Sequence, residues 1–137
     1  MADSRILVDT SVLIDFLRKD KKDRTILWNL QENYRCTMSS VTLFELLCGA
    51  KTEKHLADVH ILQKWIDSLP FNDRVSETAA TLFRELKAQN KLIEFRDIFI
   101  AATAYVHDLP VATLNKKHFE NIEQITLIEL NNNETQI

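Results

Sequence analysis

The chain has 137 residues, 45% hydrophobic and 27% charged, which predicts one globular domain whose core needs no disulfides. The net charge of −3 argues against a protein that coats duplex DNA, although clustered carboxylates that bind a cation would also lower the net charge. With one glycine and two prolines, the sequence contains neither glycine-rich phosphate-binding motif, GxGxxG or GxxxxGK[ST].

The hydrophobic pattern predicts strands and helices that largely alternate along the chain. In chain order, the predicted elements are strand 6–8, helix 12–17, helix 26–34, strand 36–38, helix 41–48, helix 54–69, a strand that begins at 71, helix 75–86, helix 98–107, strand 111–113 and strand 126–128. The expected helix caps are Thr10 or Ser11 for the first helix, Ser39 or Ser40 for the third, and Asn72 or Asp73 for the fifth.

This alternation predicts a mostly parallel sheet of four or five short strands, covered by helices on both faces. Ligands of such sheets bind outside the carboxyl ends of the strands, and Asp9 directly follows the first strand. We expect residues 1–130 to form the domain and the polar residues 131–137 to form a frayed tail.

Cys36 and Cys48 lie outside any CxxC motif, which predicts reduced thiols, a cytoplasmic location and a packing role for both side chains. The apolar runs are shorter than the roughly 20 residues that cross a bilayer, and the N-terminal residues do not resemble a secretory signal. We therefore expect no association with membranes.

Three carboxylates stand beside or within apolar segments, where an unpaired charge is costly. Asp9 follows the first strand, Glu45 interrupts an apolar helix, and Asp97 precedes another. Each has a structural explanation of its own: Asp9 and Asp97 could cap helices, and Glu45 could form a capping box with Thr42. Taken together, with no basic residue placed locally to pair with them, they predict a site for Mg²⁺ or Mn²⁺.

The metal would activate water and polarise a scissile phosphate. Zinc is not expected, because the histidines show no zinc-ligand spacing, and each is predicted to be an ordinary surface or core residue. The four histidines are His55, His60, His107 and His118.

Four segments of the sequence resemble motifs of the PIN-domain family and, within it, of the VapC-like toxins of bacterial toxin–antitoxin pairs. They are VDTSVLI at 8–14, SVTLFELLCG at 40–49, DIFIAATA at 97–104 and VATLNKKHF at 111–119. The resemblance covers residues 6 to about 130. It implies a three-layer α/β/α fold and the cleavage of RNA.

The resemblance also implies roles and partners. Asp9, Glu45 and Asp97 would be the catalytic metal ligands of an endoribonuclease, whereas Asp15 and Glu94 would lie outside the metal's coordination shell. The partners would be an RNA substrate, a second copy of the chain in a homodimer, and a cognate antitoxin in a hetero-oligomer. The antitoxin would place an arginine on the carboxylates.

The segment at 111–119 departs from the family pattern at two positions. Asn115 stands where many PIN domains have Asp, so a tightly held second metal is not expected. His118 stands where relatives often carry Asp, and we assign it no catalytic role. Thr113 is expected to hydrogen-bond a carboxylate in the site, and Ser11 and Asn115 are expected to support it.

Other functions remain open at this stage. A PIN-type nuclease could act in RNA maturation or on 5′ flaps, and a degenerate PIN domain could act as a binding module, for which Asn115 is the one hint. Aspartyl phosphoryl transfer with Asp9 as nucleophile is disfavoured, because its DxD signature requires an acid where Ser11 stands.

Overall fold

The computed structural model describes residues 4–130. Its sheet is parallel, with strand order β3-β2-β1-β4. The strands are β1 (Arg5–Val8), β2 (Arg35–Ser39), β3 (Asp67–Leu69) and β4 (Val111–Ala112). The helices are α1 (Thr10–Arg18), α2 (Ile26–Gln31), α3 (Ser40–Gly49), α4 (Glu53–Trp65), α5 (Asp73–Ala88) and α6 (Phe95–Val106). The predicted parallel α/β fold is confirmed.

Two hydrophobic cores lie on opposite faces of the sheet, because successive side chains of a strand point to opposite sides. From β1, Ile6 and Val8 pack with residues of α1, α2, α3 and α4. Leu7, between them, packs with residues of α5 and α6. All three side chains are fully buried. The chain therefore has three layers, with helices on both faces of the sheet.

Several helices begin where their polar residues predict. Ser39 caps α3, since its hydroxyl accepts a hydrogen bond of 3.0 Å from the backbone N–H of Thr42. Asn72 caps α5 in the same way, accepting from Val75 at 3.1 Å. These caps are local, so the sequence alone was sufficient to predict them.

The predictions for residues 54–71 are partly wrong. Helix α4 ends at Trp65, whereas the predicted helix continued to Leu69. Residues 67–69 form an edge strand that pairs in parallel with β2, so the third strand ends before Pro70 instead of beginning at Phe71. Asp67 and Ser68 are exposed, so this strand lacks the apolar alternation that would indicate it. Its pairing with β2, a contact distant in sequence, decides its conformation.

The predicted fifth strand is reduced to one bridge, between Val111 and Leu127. Val111 donates to the Thr126 carbonyl and accepts from the Ile128 N–H, both at 2.8 Å. The predicted tail at 131–137 lies outside the described residues.

The two cysteines occupy different environments. Cys36 is buried in the core, and burial raises the pKa of its thiol to about 12, which makes it an unreactive packing residue. Cys48 is exposed on α3, so the prediction that both cysteines fill the core is wrong for Cys48. Within residues 4–130, no helix is long and apolar enough to cross a membrane.

Candidate active site

Asp9 is buried at the carboxyl edge of the sheet, between the ends of two neighbouring strands. Val8 and Ala112 are partners in the β1–β4 pair, so the residues that follow them, Asp9 and Thr113, emerge side by side. The Thr113 hydroxyl donates to Asp9 Oδ2 at 2.7 Å, as predicted for Thr113, and the Ser11 hydroxyl donates to the same oxygen at 2.8 Å. Two donors thus fix the orientation of the Asp9 carboxylate.

Backbone N–H groups in turn orient these two hydroxyls. Leu114 N–H donates to Ser11 Oγ at 3.1 Å, and Asn115 N–H donates to Thr113 Oγ1 at 2.9 Å. Each hydroxyl accepts from the backbone and donates to Asp9 Oδ2. Among residues 4–130, no hydrogen bond reaches Asp9 Oδ1, so this oxygen keeps its lone pairs for a cation.

The helix-cap explanation is wrong for Asp97, and for Asp9 it holds for the position but not for the carboxylate, since Asp9 is the N-cap residue of α1 without a side-chain capping bond. Helix α1 begins at Thr10, directly after Asp9, but the Asp9 side chain makes no capping hydrogen bond, and neither Thr10 nor Ser11 is the cap. Helix α6 begins at Phe95, so Asp97 lies inside its first turn. Both carboxylates are therefore available to a ligand.

Asp97 lies close to Asp9 and is 3% exposed. Burial raises the pKa of the Asp97 carboxyl and the negative charge of Asp9 raises it further, while His118 and Arg96 act in the opposite direction. The two acids also line the same cleft. A buried pair of like charges is costly unless a cation lies between the two carboxylates or beside them.

His118 contacts Asp97, with 3.1 Å between His118 Nδ1 and Asp97 Oδ2. It belongs to a short 3₁₀ turn, Lys116–His118, that is anchored by the fully buried Phe119. His118 is a partly exposed histidine, as predicted, but the sequence did not reveal that it contacts a buried acid. Its only sequence signal was its place in the segment at 111–119.

Glu45 is half-buried on α3 and uses both carboxylate oxygens. Oε1 accepts from the Thr10 hydroxyl at 2.8 Å, and Oε2 accepts from Arg96 Nη1 at 2.8 Å. The proposed capping box of Glu45 with Thr42 is wrong, because Ser39 caps this helix. Instead, the hydroxyls of Thr10 and Thr42 form a hydrogen bond of 2.9 Å, which orients the Thr10 hydroxyl that donates to Glu45.

Arg96 is the basic residue that the sequence reasoning missed. It precedes Asp97 on α6, and its guanidinium reaches Glu45, 51 positions away in the chain. The hydrogen bond that Arg96 donates to Glu45 raises the pKa of Arg96, burial opposes that shift, and the charges of Glu45, Asp97 and Glu94 add to it. Arg96 thus lies in the field of Glu45 and Asp97, two of the three predicted ligands, and the expectation that no base pairs locally with these acids is wrong.

The donor chemistry fits a hard divalent cation, but the three predicted ligands do not converge. Within the described part of the chain, no three His, Cys, Asp or Glu side chains lie close enough together to hold a metal ion. Asp9 and Asp97 form a buried oxygen pair, and one or two carboxylates with waters and a substrate phosphate are what Mg²⁺ uses in many enzymes. Glu45 forms an ion pair with Arg96 instead.

A cleft of about 480 Å³ opens above Asp9 and Asp97. Three cationic side chains, Arg18, Lys19 and Arg96, line its walls. Acids at the floor and cations at the rim suit a phosphodiester substrate, whose phosphates the cations can neutralise while the floor binds a metal. Asn115 and Asp15 also line this cleft, and Asp15 pairs with Lys19 at 2.8 Å. Glu94 is exposed and does not line it.

The family profile of the PIN domain matches residues 6–125, which include all three acids. Ribonuclease VapC1 of Methanocaldococcus jannaschii is 31% identical over 91% of this chain and 86% of its own length. Ribonuclease VapC10 of Mycobacterium tuberculosis is 33% identical over 88% of this chain and 90% of its own length.

Solved structures show the same architecture. DNA-bound VapBC from Salmonella typhimurium has a TM-score of 0.82 and 27% identity, covering 90% of this chain and 96% of that one. FitAcB from Neisseria gonorrhoeae has a TM-score of 0.73 and 28% identity, and the match covers 90% of this chain and 96% of that one. The similarity therefore extends over nearly the whole described fold.

Proposed function

The chain belongs to the PIN-domain family, and we propose that it is a metal-dependent endoribonuclease that acts as the toxin of a toxin–antitoxin pair. The observation that carries this proposal is the buried pair of Asp9 and Asp97 at the carboxyl edge of the sheet, in a cleft whose rim is cationic. The VapC relatives, which resemble the chain over about nine tenths of its length, are named ribonucleases.

In the proposed mechanism, Asp9 and Asp97 hold Mg²⁺ or Mn²⁺, which supplies the Lewis acidity that activates water and polarises the phosphate. Ser11 and Thr113 hold the Asp9 carboxylate in one orientation, and His118 does the same for Asp97. Such supporting hydrogen bonds cost nothing to reorganise during the reaction, since they exist before the substrate arrives.

Arg18 and Lys19, at the end of α1, would neutralise phosphates of the RNA backbone in the cleft. Asn115 supports the site through its backbone, because its N–H, and not its side-chain amide, holds Thr113. An amide in place of the acid common in the family therefore leaves the Asp9 support intact. On these grounds we favour an active nuclease over a degenerate binding module.

We further propose an antitoxin partner. The VapBC and FitAcB structures support it, as does the charge of the site. Asp9 and Asp97 line the cleft, so a cationic side chain from an antitoxin is a suitable ligand for these two carboxylates. Co-expression of the protein encoded beside this chain should relieve its toxicity.

A homodimer is proposed through an exposed aromatic surface formed by α6 and the segment that precedes α5. Phe95 is 62% exposed and stacks on Phe99, whose ring centroid also lies 4.7 Å from that of Phe71. Exposed aromatic clusters of this kind mark protein interfaces in soluble proteins. Sedimentation at micromolar concentration should give a dimer, and a monomer would contradict this proposal.

Growth of a bacterial host tests the proposed function directly. Induction of the wild-type chain should arrest growth, whereas the Asp97→Asn variant, at equal expression, should allow it, because that variant removes one charge from the metal-binding pair. Asp67→Asn is the matched control: Asp67 pairs with Arg35 on the surface, outside the cleft, so this variant should still arrest growth.

Sequencing of RNA ends after arrest would then identify the cleaved RNA. Absence of arrest by the wild-type chain, together with no Mn²⁺-dependent cleavage of pooled RNA by the purified protein, would refute the proposed function.

A further inference from the structure

The contact between Arg96 and Glu45 has no role in the mechanism described so far. Arg96 Nη1 lies 2.8 Å from Glu45 Oε2, and the other Glu45 oxygen is held by Thr10. Both oxygens of this acid are therefore engaged, and a cation cannot bind Oε2 while the guanidinium remains there. Asp9 and Asp97, by contrast, each carry one oxygen without a cationic partner among the described residues.

The Arg96 side chain is placed so that it can leave Glu45 at little cost. It is 49% exposed, and a single N–H donates to Glu45. Exposed ion pairs of this kind contribute little to folding stability. Glu94, also exposed, lies 3.6 Å from Arg96 Nη2 and offers a second partner on the outer side.

We infer that Arg96 competes with the divalent cation for the Glu45 carboxylate, so that Arg96 occupies Glu45 in the metal-free chain and releases it when the cation binds. This inference rests on the proposed function, because it concerns the same metal site. It explains why the three acids of the family motifs do not converge here, because the positive charge of Arg96 neutralises Glu45 where a metal ion would otherwise do so.

Release of Glu45 leaves Arg96 in the cleft with the exposed Glu94 as its remaining ion-pair partner among the described residues. The cleft rim is where the phosphates of a substrate would lie, and a guanidinium binds phosphate oxygens well. One side chain would thus bind Glu45 without metal and contact the RNA backbone with metal. The coupling is reciprocal: if the ion pair of Arg96 with Glu45 weakens metal binding, then bound metal must weaken that ion pair by the same factor.

Titration of the RNA-free chain with Mn²⁺, followed by the EPR signal of the free ion, tests this competition without relying on cleavage. Arg96→Gln should bind Mn²⁺ about fivefold more tightly than the wild type, a factor set by the usual strength of an exposed ion pair. Arg35→Gln is the matched control, because it also removes one positive charge and one exposed pair, with Asp67, far from the cleft. Its Mn²⁺ affinity should equal that of the wild type.

A second pair of variants separates competition from simple repulsion. In a Glu45→Gln background, residue 45 carries no carboxylate for which Arg96 and the cation could compete. Adding Arg96→Gln should therefore give little further gain in Mn²⁺ affinity. A gain that persists undiminished in the double variant would mean that Arg96 only repels the ion, and would overturn the competition for Glu45. Circular dichroism of each variant verifies that it is folded.

The outcomes distinguish the inference from the proposed function. Equal Mn²⁺ affinities of the wild type and Arg96→Gln would overturn the inference while leaving the metal site in place. Binding by Arg96→Gln with none by the wild type would support the inference in its strongest form. No Mn²⁺ binding by either protein would overturn both the inference and the metal dependence of the proposed nuclease.

Discussion

Replacing Asp9 with asparagine is expected to reduce RNA cleavage by the purified chain at least ~1,000-fold while leaving the chain folded. The substitution removes a negative charge from the proposed metal-binding pair at nearly constant shape. Several kcal/mol of transition-state stabilisation depend on that metal, and each 1.4 kcal/mol corresponds to about a factor of ten in rate. Cleavage of pooled RNA in the presence of Mn²⁺ measures the effect.

The same substitution should not destabilise the fold. An asparagine oxygen can still accept from Ser11 and Thr113, which donate to Asp9 Oδ2 in the wild type. The Asp9 charge raises the pKa of Asp97, which means that the two carboxylates repel each other, so removing one charge relieves that repulsion. The melting temperature of Asp9→Asn, measured without metal, should therefore equal or exceed that of the wild type.

Asp58→Asn is a suitable control for this experiment. Asp58 pairs with Lys54 on the surface of α4, at 3.1 Å, and does not line the cleft above Asp9. It should cleave RNA at the wild-type rate. Full activity of Asp9→Asn, in protein free of host nucleases, would refute the assignment of Asp9 to the metal site.

Phe119→Ala is expected to cause the largest loss of stability, about 3–5 kcal/mol, with a melting temperature lower by about 10 °C or more. Phe119 is fully buried and packs in the core between the sheet and the α5 and α6 layer. Truncation to alanine would leave a cavity, and it would also remove the anchor of the 3₁₀ turn that carries His118. Thermal unfolding followed by circular dichroism measures both quantities.

Phe44→Ala serves as the matched control for this substitution. Phe44 is 65% exposed on α3, so its truncation removes little buried surface and should change stability by no more than about 0.5 kcal/mol. Equal losses in the two variants would contradict the packing described for Phe119.

The elements that the sequence predicted well are those whose signals are local. Strand 6–8 is apolar and β-branched, and helix α5 carries apolar residues at helical spacing behind an Asn72 cap. A buried strand followed directly by an acid also places Asp9 at the ligand-binding edge of a parallel sheet. These features depend on residues a few positions apart, so a single sequence contains them in full.

The features that the sequence did not reveal depend on contacts between distant residues. The edge strand at residues 67–69 forms because it pairs with β2, and its exposed residues carry no pattern of their own. His118 approaches Asp97 only because the anchored turn after β4 lies beside α6. Spacing along the chain does not show which side chains the fold will bring together.

The sequence by itself determined the parallel α/β class, the family motifs and the positions of Asp9, Glu45 and Asp97. The sequence also indicated Thr113 as a donor to a carboxylate, but only the tertiary structure decided that this carboxylate is Asp9, 104 positions away, and that Arg96 bonds to Glu45 across 51 positions. Hydrophobic periodicity is a local property that survives in the sequence, whereas the charge around each carboxylate is set by neighbours that only the packed layers bring within hydrogen-bonding distance.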